Sequence, residues 1–159
     1  MEISMEAFNI EEAPPFIAMS YCWADQLPDR SVKVENGMRF LRVTSNVEAL
    51  INLMLSWKPW HPFWIDAVCI NQENTPEKNM QVSLMSSIYS QAAHCVVWLG
   101  HGNESIEIAV EALPELYAKM DVTARLQTAW TGLEQLMCLP WFRRVWIIQE
   151  AVIPDDLVM

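Results

Sequence analysis

The sequence predicts one α/β domain built on an open, mainly parallel sheet with helices against its faces. Three apolar runs, "FIAMSYCW" (16–23), "FWIDAVCI" (63–70) and "HCVVWLG" (94–100), have the length and composition of short buried strands. Between them lie segments with helical spacing, so the order reads strand, helix, strand, helix, strand, which implies parallel pairing through crossovers. A chain of 159 residues that is 52% hydrophobic suits a single domain and can bury a sizeable core.

Each element has a local reason. Residues 1–15 read as an N-terminal extension. Glu2, Glu6, Glu11 and Glu12 and the lack of a basic stretch argue against a signal peptide there. After the first strand, Asn36-Gly37 stands between alternating apolar residues in "SVKVENGMRFLRV" (31–43), a strong signal for an inserted β-hairpin. Ser45-Asn46-Val47-Glu48 has the S-x-x-E form of a capping box, and Val47, Leu50, Ile51 and Met54 follow at helical spacing, predicting a helix over about 46–56. The run from Phe63 to Ile70 predicts the second strand. Thr75-Pro76-Glu77 combines a cap residue, an early proline and an acid, and so predicts a helix start, with Leu84, Met85, Ile88, Tyr89 and Ala92 as its buried stripe.

Beyond Gly100 the pattern is helical, over about 104–120 with Pro114 as a kink and over about 123–138. The stretch "PWFRRVWIIQEAVIP" (140–154) is ambiguous. Its β-branched residues favour a strand, whereas Pro140 and the spacing of Val145, Ile148 and Val152 allow a helix. The closing "DDLVM" reads as the start of a further strand, which places the end of the sequence inside or just at the edge of its domain.

Composition removes several function classes. The formal charge of −10, with no run of Lys or Arg, disfavours unaided binding to nucleic acid or an anionic membrane. No apolar stretch approaches the roughly 20 residues of a membrane span. Four glycines, Gly37, Gly100, Gly102 and Gly132, form neither a GxGxxG turn nor a P-loop. His61, His94 and His101 fall in no metal-ligand spacing, so no metal site and no prosthetic group are expected. Cys22, Cys69, Cys95 and Cys138 show no CxxC, and each lies in an apolar stretch, which predicts buried, reduced thiols and a cytoplasmic protein.

One residue in the second run stands out. A carboxylate in so apolar a segment must have a partner or meet water, because a buried unpaired charge costs several kcal/mol. Asp66 is therefore a candidate site residue.

"SYCWAD", "FWIDAVCINQENTPEKNMQVSLMSSIYSQAAHCVVWLG" and "PWFRRVWIIQEAV" closely resemble the three blocks of the fungal heterokaryon-incompatibility (HET) domain, over residues 16 to about 153. The middle block is the most specific, through Trp64, Ile65, Asp66, Cys69, Ile70, Asn71, Gln72, Gln81, Met85, Ile88, Tyr89 and Trp98-Leu99-Gly100. Ala24 departs from the pattern, which usually has glycine after "SYxW". The resemblance implies a HET domain over 16–159 that triggers programmed cell death when unlike fungal cells fuse. It also implies a remote relationship to TIR domains, flavodoxin-like folds of which some members cleave the nicotinamide–ribose bond of NAD.

In catalytic TIR domains a W-x-x-x-E arrangement on a helix carries the essential acid, and Trp146 to Glu150 is similar to it. This favours a helix for 140–154 and makes Glu150 the expected catalytic residue, with NAD or a related nucleotide as substrate. An i, i+4 spacing would set indole and carboxylate on one helix face. The alternative for Glu150 is a helix-edge acid paired with Arg143 or Arg144. Ser20, Tyr21, Trp23 and Asp25 at the end of the first strand, and Asp66 at the end of the second, would converge where open α/β sheets bind ligands.

For these residues two readings stand side by side. Asp66 binds ribose or amide, or accepts hydrogen bonds from its loop. Trp23 stacks on a base or caps the core, and Asn71 and Gln72 touch ligand or tie down their loop. Arg143 and Arg144 face a pyrophosphate or only solvent. Two functions follow: an NAD-cleaving enzyme switched on when a sensor domain or partner outside this chain drives homo-oligomerisation, or a non-catalytic module that signals by self-assembly.

Overall fold

A computed structural model describes residues 1–23, 27–35, 38–57, 60–118 and 124–159, the side chains of 115–118 and 124–126 excepted. The elements are β1 (Glu2–Ile3), β2 (Ile17–Tyr21), β3 (Arg30–Val34), β4 (Arg39–Val43), α1 (Ser45–Trp57), β5 (Phe63–Trp64), α2 (Asp66–Cys69), α3 (Thr75–Gln91), β6 (His94–Trp98), α4 (Glu104–Ala118), α5 (Ala124–Met137), α6 (Ile147–Val152) and β7 (Leu157–Val158). Single 3₁₀ turns occupy Ile10–Glu12 and Pro140–Arg143. The residues group into two units, Met1–Trp98 with Val145–Met159, and Leu99–Arg144.

The first unit holds a four-stranded sheet in the order β5-β2-β6-β7. All three pairings are parallel, with Ile17 opposite both Phe63 and His94, and Cys95 opposite Leu157. Counted along the chain within this sheet, the spatial order is 2-1-3-4. The expected open parallel sheet is thus present, and the strand suspected in "DDLVM" is its β7 edge. The hairpin is a separate sheet of order β1-β3-β4, in which β3 and β4 are antiparallel and β1 joins β3 in parallel. Its turn residues, Asn36 and Gly37, lie outside the described residues.

Every residue of β2 is buried, because both faces of the strand are covered. Ile17, Met19 and Tyr21 face a core built with Val32 and Val43 of the hairpin and Val47, Leu50, Ile51 and Met54 of α1. Phe16 and Ala18 face a second core with Met85, Ile88 and Tyr89 of α3 and Cys95 of β6. The two-residue period of the strand decides which side chain enters which core.

Several boundaries differ from expectation. The strand predicted over 63–70 is only Phe63–Trp64, and from Asp66 the chain turns into the four-residue α2. A continuous apolar run does not separate a buried strand from a buried helical turn. Asp66 therefore opens a helix two residues past a strand rather than ending the strand. The cap of α1 is Thr44, whose Oγ1 accepts the Val47 amide, not Ser45. The cap of α3 is Asn74, whose Oδ1 accepts from the Glu77 amide, which puts Pro76 inside the first turn. Of the four cysteines, all free thiols, only Cys95 is fully buried, and Cys69 and Cys138 are exposed. Apolar sequence neighbours do not bury a residue whose own side chain points outward.

In the second unit α4 and α5 pack on each other, and α4 continues through Pro114. Gly132 allows a close crossing: a Cβ there would lie 1.8 Å from the Ser105 carbonyl oxygen. Glycine is needed by space, not by φ. Gly100, which follows β6, has φ +99° and is needed by conformation.

Candidate functional site

Ser20 and Tyr21 are consecutive on β2, so their side chains leave on opposite faces of the sheet. Each meets a carboxylate. Ser20 Oγ donates to Glu150 Oε2 at 2.5 Å, and both residues are 1% exposed. Tyr21 Oη donates to Asp66 Oδ1 at 2.8 Å. The strand end is thus held between two acids that the sequence separates by 84 residues, from Asp66 to Glu150.

On the Tyr21 side, Asp66 gathers three donors. Oδ1 also accepts the Ala67 amide at 2.7 Å, and Oδ2 accepts Trp23 Nε1 at 2.9 Å. Burial first, then the neighbouring Asp66 charge and the hydrogen bond to it, raise the Tyr21 pKa far above the usual phenol range, so Tyr21 is a permanent donor. Gln72 closes the same corner, with Nε2 donating to Asp66 O at 3.1 Å while its buried Oε1 finds no partner among the described residues. Asn71 works within its loop: Oδ1 accepts the Glu73 amide, the Asn71 amide donates to Glu77 Oε1, and the Asn74 amide donates to Asn71 O. Asn46 Nδ2 ties Cys22 O to α1 at 2.6 Å. Trp23 packs its ring partly against the first core while its N–H holds Asp66. Asp25 and Ala24 lie outside the described residues.

On the Ser20 side, Glu150 projects inward from α6, which packs on α3 and β6. Cys95 Sγ donates to Glu150 O at 3.2 Å and fixes the helix backbone to the sheet. Burial and the nearby Glu150 charge push the Cys95 thiol up to about 12, so it stays neutral. Tyr89 Oη donates to Met19 O at 3.1 Å on the adjacent strand. Sequence reasoning did not single out Cys95 or Tyr89 for these roles. Their positions within the apolar patterns marked them as core, and nothing local reveals contacts over 55 and 70 residues.

The ambiguous C-terminal segment is a 3₁₀ turn followed by the six-residue α6, so the helical alternative holds for Ile147–Val152. Trp146 is the residue before α6, and its carbonyl accepts the Glu150 amide at 3.1 Å. One turn joins the two residues, yet Trp146 is 42% exposed and Glu150 is buried. Arg143 is exposed and Arg144 half-buried, and both belong to the second unit. A hollow of about 550 Å³ in that unit is lined, among the described residues, by Gln127, Trp130, Thr131, Leu133, Glu134 and Met137 of α5. Among the described residues no three His, Cys, Asp or Glu side chains are grouped to hold a metal, and no helix is long and apolar enough to cross a membrane.

Taken together, a buried parallel sheet ordered 2-1-3-4 and a strand end clasped by two acids define an α/β domain with Ser20, Tyr21, Asp66 and Glu150 gathered at the carboxyl end of β2. The chain belongs to the heterokaryon incompatibility protein (HET) family, whose model matches residues 16–150. It is 36% identical over 121 residues to "Heterokaryon incompatibility protein 6, OR allele" of Neurospora crassa, covering 67% of this chain and 17% of that protein. It is 23% identical over 146 residues to "Vegetative incompatibility protein HET-E-1" of Podospora anserina, covering 91% of this chain and 9% of that protein. The chain thus spans less than a fifth of the length of either relative. No solved structure matches it.

Proposed function

We propose that the chain is the cell-death effector domain of a fungal incompatibility protein, and that it cleaves the nicotinamide–ribose bond of NAD when oligomerised. The supporting observation is Glu150, a buried carboxylate held by Ser20 near the carboxyl end of a central parallel strand. The 2-1-3-4 strand order supports the TIR-like, flavodoxin-like reading of the fold.

The chemistry asks little more of the protein. As the C1′–N bond breaks, its electron pair leaves with nicotinamide, which departs neutral, and the ribose acquires oxocarbenium character. A fixed carboxylate stabilises that charge in a low-dielectric site, and water then adds to C1′ and releases a proton. Asp66, with three hydrogen bonds accepted inside the fold, acts in this account as the organiser of the first loop rather than as a ribose ligand. Trp23, Asn71 and Gln72 share that supporting role.

The 1% exposure of Glu150 also favours a second reading, a non-catalytic module in which Ser20–Glu150 is a staple for α6. On the enzymatic reading the same burial means that assembly must open a path to the carboxylate. The isolated domain should then be nearly inactive when dilute. The test is nicotinamide release from NAD by the purified domain, once dilute and once forced into oligomers. Release that rises steeply on assembly supports the enzyme, and none in either state leaves the assembly module.

A further inference from the structure

We infer that Ser20 acts on Glu150 and not on the substrate: it is a positioning residue that keeps the Glu150 carboxylate ionised and fixed in one orientation. The inference rests on the reading of Glu150 as the catalytic acid, but its decisive readout does not. Three observations carry it. The Ser20 hydroxyl donates to Glu150 Oε2 at 2.5 Å. Both groups are 1% exposed, so Ser20 presents no face to a ligand while Glu150 is where it is. The backbone on either side is fixed, with Ser20 paired to Val97 of β6 and Glu150 O held by Cys95 Sγ.

A buried carboxylate tends to pick up a proton, and a hydroxyl donating to the charged form opposes this. Among the described residues of α3, β6 and β2, the titratable groups are Glu77, Lys78 and Tyr89, His94 and Cys95, and Tyr21, which leaves β2 on the opposite face. Of these, Cys95 touches the Glu150 backbone as a neutral thiol, and Tyr89 donates to Met19 O. Ser20 donates directly to the carboxylate.

The test is the titration of Glu150 by carbon NMR of side-chain-labelled glutamate. The parent is compared with Ser20→Ala and with Ser20→Cys, a near-isosteric weak donor, and the resonance is assigned by its loss in Glu150→Gln. The Glu150 midpoint should rise by about one pH unit or more in Ser20→Ala and by less in Ser20→Cys, since each weakens hydrogen bonding to the charged form. In assembled protein, kcat for NAD cleavage at pH below both midpoints should fall roughly tenfold with KM nearly unchanged, and the difference from the parent should vanish as pH rises through the new midpoint. An unmoved midpoint, or a raised KM at unchanged kcat, overturns the inference in favour of a substrate contact. Should Ser20→Ala fail to fold, the smaller shift in Ser20→Cys decides alone. If the assembled parent releases no nicotinamide, the proposed reaction fails, and the midpoints still decide what Ser20 does.

Discussion

Ser20 and Glu150 lie 130 positions apart in sequence and 2.5 Å apart in the fold, joined hydroxyl to carboxylate in an interior that leaves each 1% exposed. Tyr21, the next residue, makes the matching contact to Asp66 on the other face of the sheet. The "SY" at the end of β2 therefore sits between two acids, which gives that dipeptide a physical reason beyond strand propensity.

Asp66→Ala should destabilise the domain by about 2–3 kcal/mol, because it strips the acceptor from a buried phenol and from the Trp23 indole N–H. Tyr21→Phe removes one donor and keeps the ring, and should cost about 1 kcal/mol. Urea unfolding of the two variants checks the order. Equal costs would mean that Asp66 does not organise this corner.

Stability should fall at alkaline pH through Cys95. Its pKa is raised from 9.0 in the free thiol to about 12 in the fold, so between these values the unfolded chain loses a proton that the native chain keeps. The contribution is complete below pH 9.0 and declines by about 1.4 kcal/mol per pH unit above it, until the native thiol itself ionises. Tyr21, raised in the same direction, adds to the loss above about pH 10. Cys95→Ala should flatten the curve between pH 9 and 11, as read by unfolding at a series of pH values. An unchanged slope would remove Cys95 from the account.

How much of this was legible beforehand depended on range. The hairpin, α1 and α3 followed from signals within a few residues, namely alternation, caps and helical spacing, and even there Thr44 and Asn74 took the cap positions one residue before those expected. Phe63–Ile70 was misread because a run apolar but for Asp66 has no clear period, and α2 begins inside it. Asp66 was recognisable as a residue needing partners, and Tyr21 and Trp23 proved to be two of them. The Ser20–Glu150 contact left no trace in local pattern, since it exists only once α6 is laid against the sheet. Trp146 and Glu150 were expected on one helix face, yet α6 begins at Ile147, so Trp146 stands at its threshold and stays partly exposed.

Gly132→Ala should destabilise the α4–α5 pair, although glycine to alanine within a helix ordinarily stabilises by roughly 0.5–1 kcal/mol. The added Cβ would meet the Ser105 carbonyl oxygen at 1.8 Å and force the helices apart, at a cost of about 1–3 kcal/mol. Thermal unfolding reports the sign directly. A stabilised variant would mean that the two helices do not cross at Gly132.

Glu150→Gln in assembled protein is the most direct test of the central claim. Glutamine keeps the volume and can still accept from Ser20, so the fold should survive with a small change in thermal unfolding. The negative charge that would face a cationic ribose is lost, and removing one such preorganised group typically costs roughly 10²–10³ in rate. The account predicts that oligomerised parent releases nicotinamide from NAD and that oligomerised Glu150→Gln, equally folded, falls by at least that factor. Release by the variant at the parental rate would contradict it.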